Sequence, residues 1–310
     1  MRTVFFGSPA AALPPLERLL QAGHAVELIV TQPDRPAGRG KNPVPPPVKE
    51  AALRRGIPLL QPERIRKDDD ALSVLKKTGP DIIVVVAYGQ IIPRTIIDLP
   101  RYKAVNVHFS LLPRYRGAAP VQWAILNGDE KTGVTIFELN ERLDEGDILS
   151  QAETPIGPRE SAPELEARLS RLGADLLVKT LERIDSLPRL AQDPRGVTLA
   201  PRLQKDQGRI DWAKDALLVD RMVRAFSPWP GAFTFWRGRR IIIHAGGPAA
   251  SPPQTAGPGT VLGVQNRGLL VACGSGSAYL VERLQRENRT EMAAAEFLRG
   301  TRVSIGDRLG

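Results

Sequence analysis

IIVVVA, residues 82–87, is a continuous and mainly β-branched run without a single charge. A strand that is buried on both faces has this composition, because helices cover both sides of a parallel sheet. Other short apolar runs alternate with helix-like segments along the first half of the chain, namely Val4–Phe6, Val26–Val30, Val105–His108 and Gly133–Phe137. Strands that alternate with helices predict parallel βαβ units, and therefore a doubly wound, mostly parallel α/β sheet.

The pattern changes after Leu187-Pro188. The next residues, up to 207, are polar with scattered prolines, which is typical of a linker. Beyond them, short strands are separated by glycine turns, and this spacing predicts a small β-barrel. We therefore expect an N-terminal domain over residues 1–188, a linker over 189–207 and a smaller C-terminal domain over 208–310.

The composition excludes several classes of protein. The 310-residue chain has 42% hydrophobic residues, one cysteine (Cys273) and three histidines. A single cysteine excludes an intrachain disulfide and a cysteine-based zinc site. No apolar run approaches the ~20 residues that a membrane-spanning helix needs. We expect a cytoplasmic monomer with neither a metal nor a membrane anchor.

The positive charge is concentrated in the last third of the chain. The net charge is +9, and residues 201–310 contain 16 of the 43 basic and 9 of the 34 acidic side chains, or +7 of that total. A basic C-terminal region predicts a polyanionic partner, with nucleic acid the first candidate and an anionic membrane surface the second. The alternative is a domain that is basic only because its whole proteome is rich in arginine.

Three polar residues fall where a parallel sheet would expose them. Asn106 and His108 alternate along a predicted strand, so both side chains lie on one face near its carboxyl end. Asp144 lies in the turn Leu143-Asp144-Glu145-Gly146-Asp147. Ligands bind at the carboxyl ends of strands in open α/β sheets. A structural histidine with satisfied hydrogen bonds is the alternative interpretation, and from these residues alone the sequence predicts only a polar constellation at a sheet edge.

A longer motif surrounds these residues. The order N-x-H-x-S-L-L-P-x-Y-R-G from Asn106 to Gly117, followed by L-D-x-G-D from Leu143, resembles the folate-dependent formyltransferases. The resemblance runs nearly end to end and includes TQPDRPAGRGK (residues 31–41), VVVAYG (84–89), RIDW (209–212) and RAFSPWP (224–230). Within that family, the 31–41 segment and the basic C-terminal region favour the branch that acts on transfer RNA.

The resemblance implies a fold, a reaction and a set of residues. The fold would be a Rossmann-like α/β domain followed by a β-barrel of the oligonucleotide-binding (OB) type. The reaction would transfer the formyl group of 10-formyltetrahydrofolate, a cosubstrate, to the α-amino group of methionyl initiator tRNA, without a metal. The implied catalytic residues are Asn106, His108 and Asp144; the folate-binding residues Tyr88, Gly89, Ser110, Leu111, Leu112 and Pro113; and the tRNA-binding residues Arg35, Arg39, Lys41, Arg237, Arg239 and Arg240.

The resemblance also implies a role for each of the three catalytic candidates. Asn106 and His108 would donate hydrogen bonds to the oxyanion of the tetrahedral intermediate. Asp144 would orient His108, stabilise its charge and accept the proton of the amine. Two residues depart from the usual pattern of the family near the expected pocket: Phe109 replaces a glycine or alanine, and Ala11 replaces an aromatic residue.

Three other functions fit parts of this sequence. The first is formyl transfer to a small amine, such as a nucleotide sugar or glycinamide ribonucleotide, which would need neither the 32–41 loop nor a basic C-terminal domain. The second is hydrolysis of 10-formyltetrahydrofolate with water as the acceptor. The third is an RNA-binding module without catalysis, which would have no use for Asn106, His108 and Asp144 together.

Overall fold

The computed structural model describes residues 1–37, 42–250 and 256–310. Its contacts divide the chain into two compact units. The first unit contains Met1–Pro120, Lys131–Pro155 and Glu166–Pro201, and the second contains Val121–Glu130, Ile156–Leu165 and Arg202–Gly310. Residues 189–201, expected as part of a linker, therefore group with the first unit, while the boundaries of the two domains stay a prediction.

The part of the chain up to residue 200 alternates strands and helices. Its strands are β1 (Arg2–Gly7), β2 (Ala25–Val30), β3 (Arg35–Ala37), β4 (Asn42–Val44), β5 (Leu59–Leu60), β6 (Ile82–Val86), β7 (Ala104–His108), β8 (Arg116–Gly117), β9 (Lys131–Glu138), β10 (Ile148–Pro155) and β11 (Leu199–Ala200). Its helices are α1 (Leu13–Gln21), α2 (Pro47–Arg55), α3 (Asp69–Thr78), α4 (Arg94–Ile97), α5 (Pro120–Asn127) and α6 (Ala162–Glu182).

A seven-stranded sheet forms the centre of the first unit. Its strand order is β10-β9-β7-β6-β1-β2-β5. Strands β5, β2, β1, β6 and β7 run parallel to one another, and only the pairings of β9 with β7 and β10 are antiparallel. All five residues of β6 are buried, as its uncharged β-branched sequence predicts. The predicted mostly parallel α/β fold is confirmed.

Alternation along each strand divides the core of this sheet between its two faces. Val4 and Phe6 of β1 and Ile83 and Val85 of β6 pack with α3 and α4 on one face. On the other face lies α6, where a Cβ on Gly173 would come 2.8 Å from Val107 of β7. Because helices cover both faces of the sheet, a ligand can reach it only at the edge where the parallel strands end, and we expect the functional side chains there.

Helix α6 begins where the sequence pattern predicts. Both the backbone N–H and the hydroxyl of Ser161 donate hydrogen bonds to the Glu164 carboxylate, at 2.9 and 2.6 Å. These bonds lower the pKa of Glu164 below its usual value, because they favour the charged carboxylate. The Ser–Glu spacing is that of a capping box, which satisfies N–H groups that the first turn leaves unpaired.

The second unit is built around an antiparallel sheet. Its elements are α7 (Ala216–Ala225), β12 (Ala232–Trp236), β13 (Arg239–Ala249), β14 (Val261–Gln265), β15 (Gly268–Ala272), β16 (Ala278–Arg286), β17 (Glu291–Ala293) and α8 (Ala294–Gly300). The strand order is β12-β13-β16-β15-β14, with β17 paired to β16. A separate, smaller β-structure at the C-terminal end is therefore confirmed.

The closed barrel expected for this unit is not confirmed. Across residues 202–250 and 256–310 the sheet is open, because β12 and β14 end the path of paired strands. The C-terminal residues bridge toward both ends: Leu309 pairs with Trp236, and Arg308 pairs with Thr260 beside β14. Strand count and glycine spacing alone could not distinguish this arrangement from a closed barrel.

Two adjacent glycines of β13 provide a matched test of packing in the second unit. A Cβ on Gly246 would lie 2.3 Å from the Leu280 carbonyl oxygen, whereas a Cβ on Gly247 would meet no described atom within 4 Å. Gly246→Ala should therefore lower the free energy of unfolding by about 1–3 kcal/mol, since the strand must shift to admit the methyl group. Gly247→Ala should change it by less than about 0.5 kcal/mol.

Tryptophan fluorescence during urea unfolding measures this difference. All four tryptophans belong to the second unit: Trp123, Trp212, Trp229 and Trp236. Equal unfolding midpoints for the two glycine variants would contradict the packing described for Gly246.

Candidate active site

Gln32 connects three loops by hydrogen bonds. It lies in the loop after β2, which ends at Val30, and it contacts the loops that follow β1 and β6. Its backbone N–H donates to the Ser8 hydroxyl at 2.9 Å, and its side-chain amide donates to the Tyr88 carbonyl oxygen at 3.0 Å. Gly89 then turns the chain with a φ of +83°, a conformation that favours glycine. Gln32 belongs to the 31–41 motif segment, but nothing in its local sequence marks this role.

Tyr88 contributes its main chain, rather than its ring, to this edge. The side chain is 2% exposed and packs edge-on against the Phe6 ring, with centroids 5.1 Å apart. Burial raises the pKa of the Tyr88 hydroxyl, which has no hydrogen-bond partner among the described residues. A ligand at this edge would therefore meet the backbone around Tyr88 and Gly89.

Strand β7 presents Asn106 and His108 on one face and Val107 on the other, because side chains alternate along a strand, and Phe109 directly after the strand lies on the same side as Val107. Asn106 is half-buried, and its Cα partners in the sheet lie on β6 and β9. Phe109 is 6% exposed and faces α6, where its ring would be 3.7 Å from a Cβ on Gly173. Its departure from the family pattern therefore fills space under the helix, on the face opposite the polar pair.

The His108 ring is held by one hydrogen bond and faces one carboxylate. Its Nε2 lies 2.9 Å from the Tyr115 carbonyl oxygen. A carbonyl can only accept, so Nε2 carries the proton in this bond. Nδ1 faces Asp144, whose Oδ2 is 3.9 Å away. Nδ1 therefore lacks a proton in the neutral ring and is the ring nitrogen that faces the Asp144 carboxylate.

The turn that contains Asp144 has a constrained backbone. Asp144 has a φ of +48°, and its Oδ2 accepts a hydrogen bond from the Gly117 N–H at 2.8 Å. Two residues later, a Cβ on Gly146 would lie 1.7 Å from the Glu138 carbonyl oxygen, so only glycine fits there. The Asp-x-Gly spacing thus positions a carboxylate beside His108 and brings the turn close against β9.

Gln192 also contacts this turn, and sequence analysis did not identify it. Its side-chain amide donates to the carbonyl oxygens of Asp144 and Gly146, both at 2.8 Å, and its oxygen accepts from Nε of Arg116 at 3.0 Å. Gln192 lies in the segment expected to be a linker. No local signal marks it, since Asp144 and Arg116 lie 48 and 76 positions away along the chain.

The Thr135 side chain of β9 holds the loop from Ser110 to Pro113 by hydrogen bonds. The Thr135 hydroxyl donates to the Ser110 carbonyl at 2.7 Å and accepts from the Leu112 N–H at 3.0 Å. Gln151 donates to the same hydroxyl and to the Leu112 carbonyl. The peptide between Leu112 and Pro113 is cis. These hydrogen bonds fix the backbone of residues 110–113, which include Leu111, and this loop forms a wall beside His108.

The predicted RNA-contacting loop is described only at its two arms. Strands β3 and β4 form an antiparallel pair with Arg35 opposite Val44. Arg35 lies 3.4 Å from the Glu63 carboxylate and is largely exposed. Both carboxylate oxygens of Asp34 accept from Lys49 at 2.8 Å, which lowers the pKa of Asp34. Two further predicted contacts, Arg39 and Lys41, lie outside the described residues.

In the second unit, β12 and β13 form an antiparallel hairpin. Its two-residue turn consists of Arg237 and Gly238, with φ values of +48° and +74°. Positive φ at both positions is typical of the type I′ turn, which matches the twist of the strands that it joins. Arg239 follows the turn and is exposed.

Arginines near this hairpin lie over aromatic rings. The guanidinium of Arg240 is 3.9 Å from the centre of the Phe233 ring, and that of Arg237 is 4.4 Å from the Trp236 ring. Arg237 also lies 3.4 Å from the Asp307 carboxylate. Two of the three arginines near this hairpin that were predicted to contact RNA, Arg237 and Arg240, therefore lie over aromatic rings.

Within 1–37, 42–250 and 256–310, no cluster of three or more His, Cys, Asp or Glu side chains is arranged to bind a metal ion. None of the helices described there has the length and apolarity that a bilayer crossing requires.

Comparison with known proteins identifies the family. Residues 1–181 match the formyl transferase family, and residues 202–302 match the formyl transferase C-terminal domain. The chain belongs to the formyl transferase family. It is 48% identical to the methionyl-tRNA formyltransferase of Solibacter usitatus, over 100% of this chain and 99% of that protein. It is 44% identical to the methionyl-tRNA formyltransferase of Geobacter sulfurreducens, over 100% and 97% of the two chains. The resemblance inferred from the motifs is confirmed.

Solved structures with lower identity share the fold. HypX from Aquifex aeolicus, determined with tetrahydrofolic acid, has a TM-score of 0.66 at 18% identity and covers 96% of this chain and 47% of its own. An N-formyltransferase from Helicobacter canadensis, in complex with folinic acid and dTDP-3-aminofucose, has a TM-score of 0.66 at 17% identity, over 93% and 100% of the chains.

The role of Thr135 can be tested by removing only its hydroxyl. Thr135→Val should lower the free energy of unfolding by about 1–3 kcal/mol, because the Leu112 N–H and the Ser110 carbonyl lose a buried partner. Thr135→Ser keeps the hydroxyl and should lose less. Circular dichroism during urea unfolding measures both variants, and a loss in Thr135→Ser equal to that in Thr135→Val would contradict the role of the hydroxyl, because only the valine variant removes it.

Proposed function

We propose that this protein transfers the formyl group of 10-formyltetrahydrofolate to the α-amino group of methionyl initiator tRNA, giving N-formylmethionyl-tRNA for translation initiation. The observation that carries the proposal is the grouping of Asn106, His108 and Asp144 at the carboxyl end of β7. The full-length relatives that are named methionyl-tRNA formyltransferases support the choice of acceptor.

The folate would lie along the wall formed by Ser110, Leu111, Leu112 and Pro113. The main chain around Tyr88 and Gly89 would contact the edge of the pterin, because the Tyr88 ring is directed into the core. This cosubstrate supplies the formyl carbon, and the residues of the chain orient it. Asn106 would then lie on the same face of the sheet as the reacting groups.

The first chemical step is attack of the neutral amine on the formyl carbon. A free α-amino group titrates at roughly 7.7–8.0, so a large part of it is already neutral near that pH. Negative charge develops on the formyl oxygen, where the Asn106 side-chain amide donates a hydrogen bond. His108 donates a second one through Nδ1 when its ring is protonated, because Nε2 is bonded to the Tyr115 carbonyl.

Collapse of the intermediate completes the transfer. The bond between the formyl carbon and the folate nitrogen breaks, and the electron pair stays on that nitrogen. The nitrogen takes up one proton while the amine gives one up, so atoms and charge balance. Asp144, 3.9 Å from Nδ1 of His108, would stabilise the charged ring and carry the amine proton, directly or through a water molecule.

The second unit would bind the body of the tRNA. Its positive charge favours phosphates without reading sequence, and Arg237, Arg239 and Arg240 at the β12–β13 hairpin are the proposed contacts. The open antiparallel sheet, with its ends bridged by the C-terminal residues, would serve as a surface of the OB type. Arg35, Arg39 and Lys41 would meet the acceptor end.

Compartment, oligomeric state and domain limits belong to the same proposal. The protein would act in the cytoplasm as a monomer, with a catalytic domain over residues 1–188 and a tRNA-binding domain over 208–310. The single, buried Cys273 is typical of proteins in a reducing compartment. Sedimentation at micromolar concentration should give one species with the 33.8 kDa mass of the chain.

The first test compares two charged tRNAs. Initiator methionyl-tRNA and elongator methionyl-tRNA are each incubated with 10-formyltetrahydrofolate and the protein. We expect formylation of the initiator and little formylation of the elongator. Formate release with neither tRNA formylated would instead assign the hydrolase reaction to this site. Formylation of a nucleotide sugar, with both tRNAs unreactive, would assign a small amine as the acceptor.

Two substitutions test the catalytic assignments. Asn106→Ala and His108→Ala should each lower turnover by roughly a hundredfold or more, because each removes one donor to the oxyanion. Binding of initiator tRNA, measured by filter retention, should stay close to that of the unmodified protein. A parallel loss of tRNA binding in both variants would contradict their roles in transition-state stabilisation.

Arg39→Ala tests the inserted loop. We expect this variant to lose preference for the initiator over the elongator, because a cation between two glycines can approach RNA closely. The matched control is Arg195→Ala, which removes a highly exposed arginine whose charge pairs with Asp193. Unchanged discrimination in the Arg39 variant, or an equal loss in both variants, would contradict the proposed role of the loop.

A further inference from the structure

Residues 192–200, here called the clamp segment, hydrogen-bond both loops that carry the reactive groups. The Thr198 hydroxyl accepts from the Tyr115 N–H at 2.8 Å, and the Thr198 carbonyl accepts from the Arg116 N–H at 2.9 Å. Strand β11 of this segment pairs with β8, and its Ala200 carbonyl accepts from the Ala119 N–H at 3.1 Å. The clamp segment thus holds the backbone of the loop after β7 at residues 115–119.

The other end of the clamp segment reaches the turn of Asp144. The Gln192 amide has two N–H groups, and each donates to a different carbonyl of this turn, those of Asp144 and Gly146. Its oxygen accepts from Arg116, a residue that is 8% exposed. The Gln192 side chain therefore donates two hydrogen bonds and accepts one. Only an amide can both donate two bonds from its nitrogen and accept one at its oxygen.

The Asp144 backbone needs such support. A φ of +48° is unfavourable for a residue with a Cβ, and it persists only where the surroundings fix it. The carboxylate oxygen that faces His108 is the same oxygen that accepts from the Gly117 N–H. A small rotation of the turn would therefore change both the backbone hydrogen bond and the distance to the imidazole.

We propose that Gln192 is a positioning residue for Asp144: by donating to the Asp144 and Gly146 carbonyls it holds the turn in the conformation that presents the carboxylate to His108. This inference rests on the proposed function of Asp144. It assigns a role in the reaction to a segment that its composition alone marks as a linker.

Two variants separate the contacts of Gln192. Gln192→Leu removes both kinds of hydrogen bond at similar volume. Gln192→Glu keeps an acceptor for Arg116 but loses the two donors to the Asp144 turn, and it preserves the length of the side chain. Both should lower the single-turnover rate of formyl transfer by about tenfold or more, as loss of a supporting contact to a reactive group commonly does. The KM for each substrate should change by less than about twofold.

A double-mutant cycle shows whether Gln192 acts through Asp144. If it does, Asp144→Asn combined with Gln192→Leu should be no slower than Asp144→Asn alone, because there is no carboxylate left to position. The control is Asp98→Asn, which changes an exposed carboxylate paired with Arg94 of α4 and should leave the rate unchanged. Circular dichroism confirms that each variant is folded.

The outcomes are distinct. Multiplicative losses in the double variant would overturn the inference, since Gln192 would then act independently of Asp144. A normal rate in Gln192→Glu would overturn it too, because the Arg116 contact would be the one that matters. A slow Asp144→Asn beside a normal Gln192→Leu would overturn the inference alone. A normal rate in Asp144→Asn would overturn the role of Asp144 in the proposed function.

Discussion

One hydrogen bond, from Nε2 of His108 to the Tyr115 carbonyl oxygen, constrains the rest of the site. Because Nε2 donates its proton to this bond, Nδ1 is the ring nitrogen that faces Asp144. The Tyr115 backbone that supplies this carbonyl has a φ of +62°, a conformation that ordinary side chains disfavour. The Thr198 hydroxyl accepts from the Tyr115 N–H, so a residue 83 positions further along the chain helps to hold the backbone that orients the imidazole.

The site combines two different kinds of support. The sheet positions Asn106 and His108 through strand alternation, which depends on the buried neighbours β6 and β9. Loops position the remaining groups, through side chains that donate to backbone carbonyls, as Gln32 does at Tyr88 and Gln192 does at Asp144. An amide side chain suits this task because it can donate two bonds without carrying a charge that the sheet edge would have to solvate.

Local patterns predicted the parts of the structure that local sequence determines. The buried strand β6 follows from an uncharged β-branched run, and the shared face of Asn106 and His108 follows from alternation. The orientation of Phe109 toward α6 follows from the same alternation once the polar face is known. The hairpin at Arg237 could be predicted because its turn needs only two residues between paired strands.

Contacts between distant parts of the chain could not be predicted in this way. The role of Gln192 depends on partners in two loops that no periodicity connects to it. Whether the C-terminal strands close into a barrel depends on which edges meet, and that is decided by tertiary packing rather than by spacing. The 3.9 Å separation of His108 and Asp144 likewise follows from the meeting of two loops, which the family motif implied but the residues alone did not.

The clamp segment also determines where the chain can be divided. A fragment that ends at residue 188, where the composition changes, would keep Asn106, His108 and Asp144 but would lose Gln192, Thr198 and strand β11. A fragment that ends at Pro201 would keep all of them. Truncation at residue 188 instead of Pro201 would therefore keep the three side chains of the site but remove the contacts that position them.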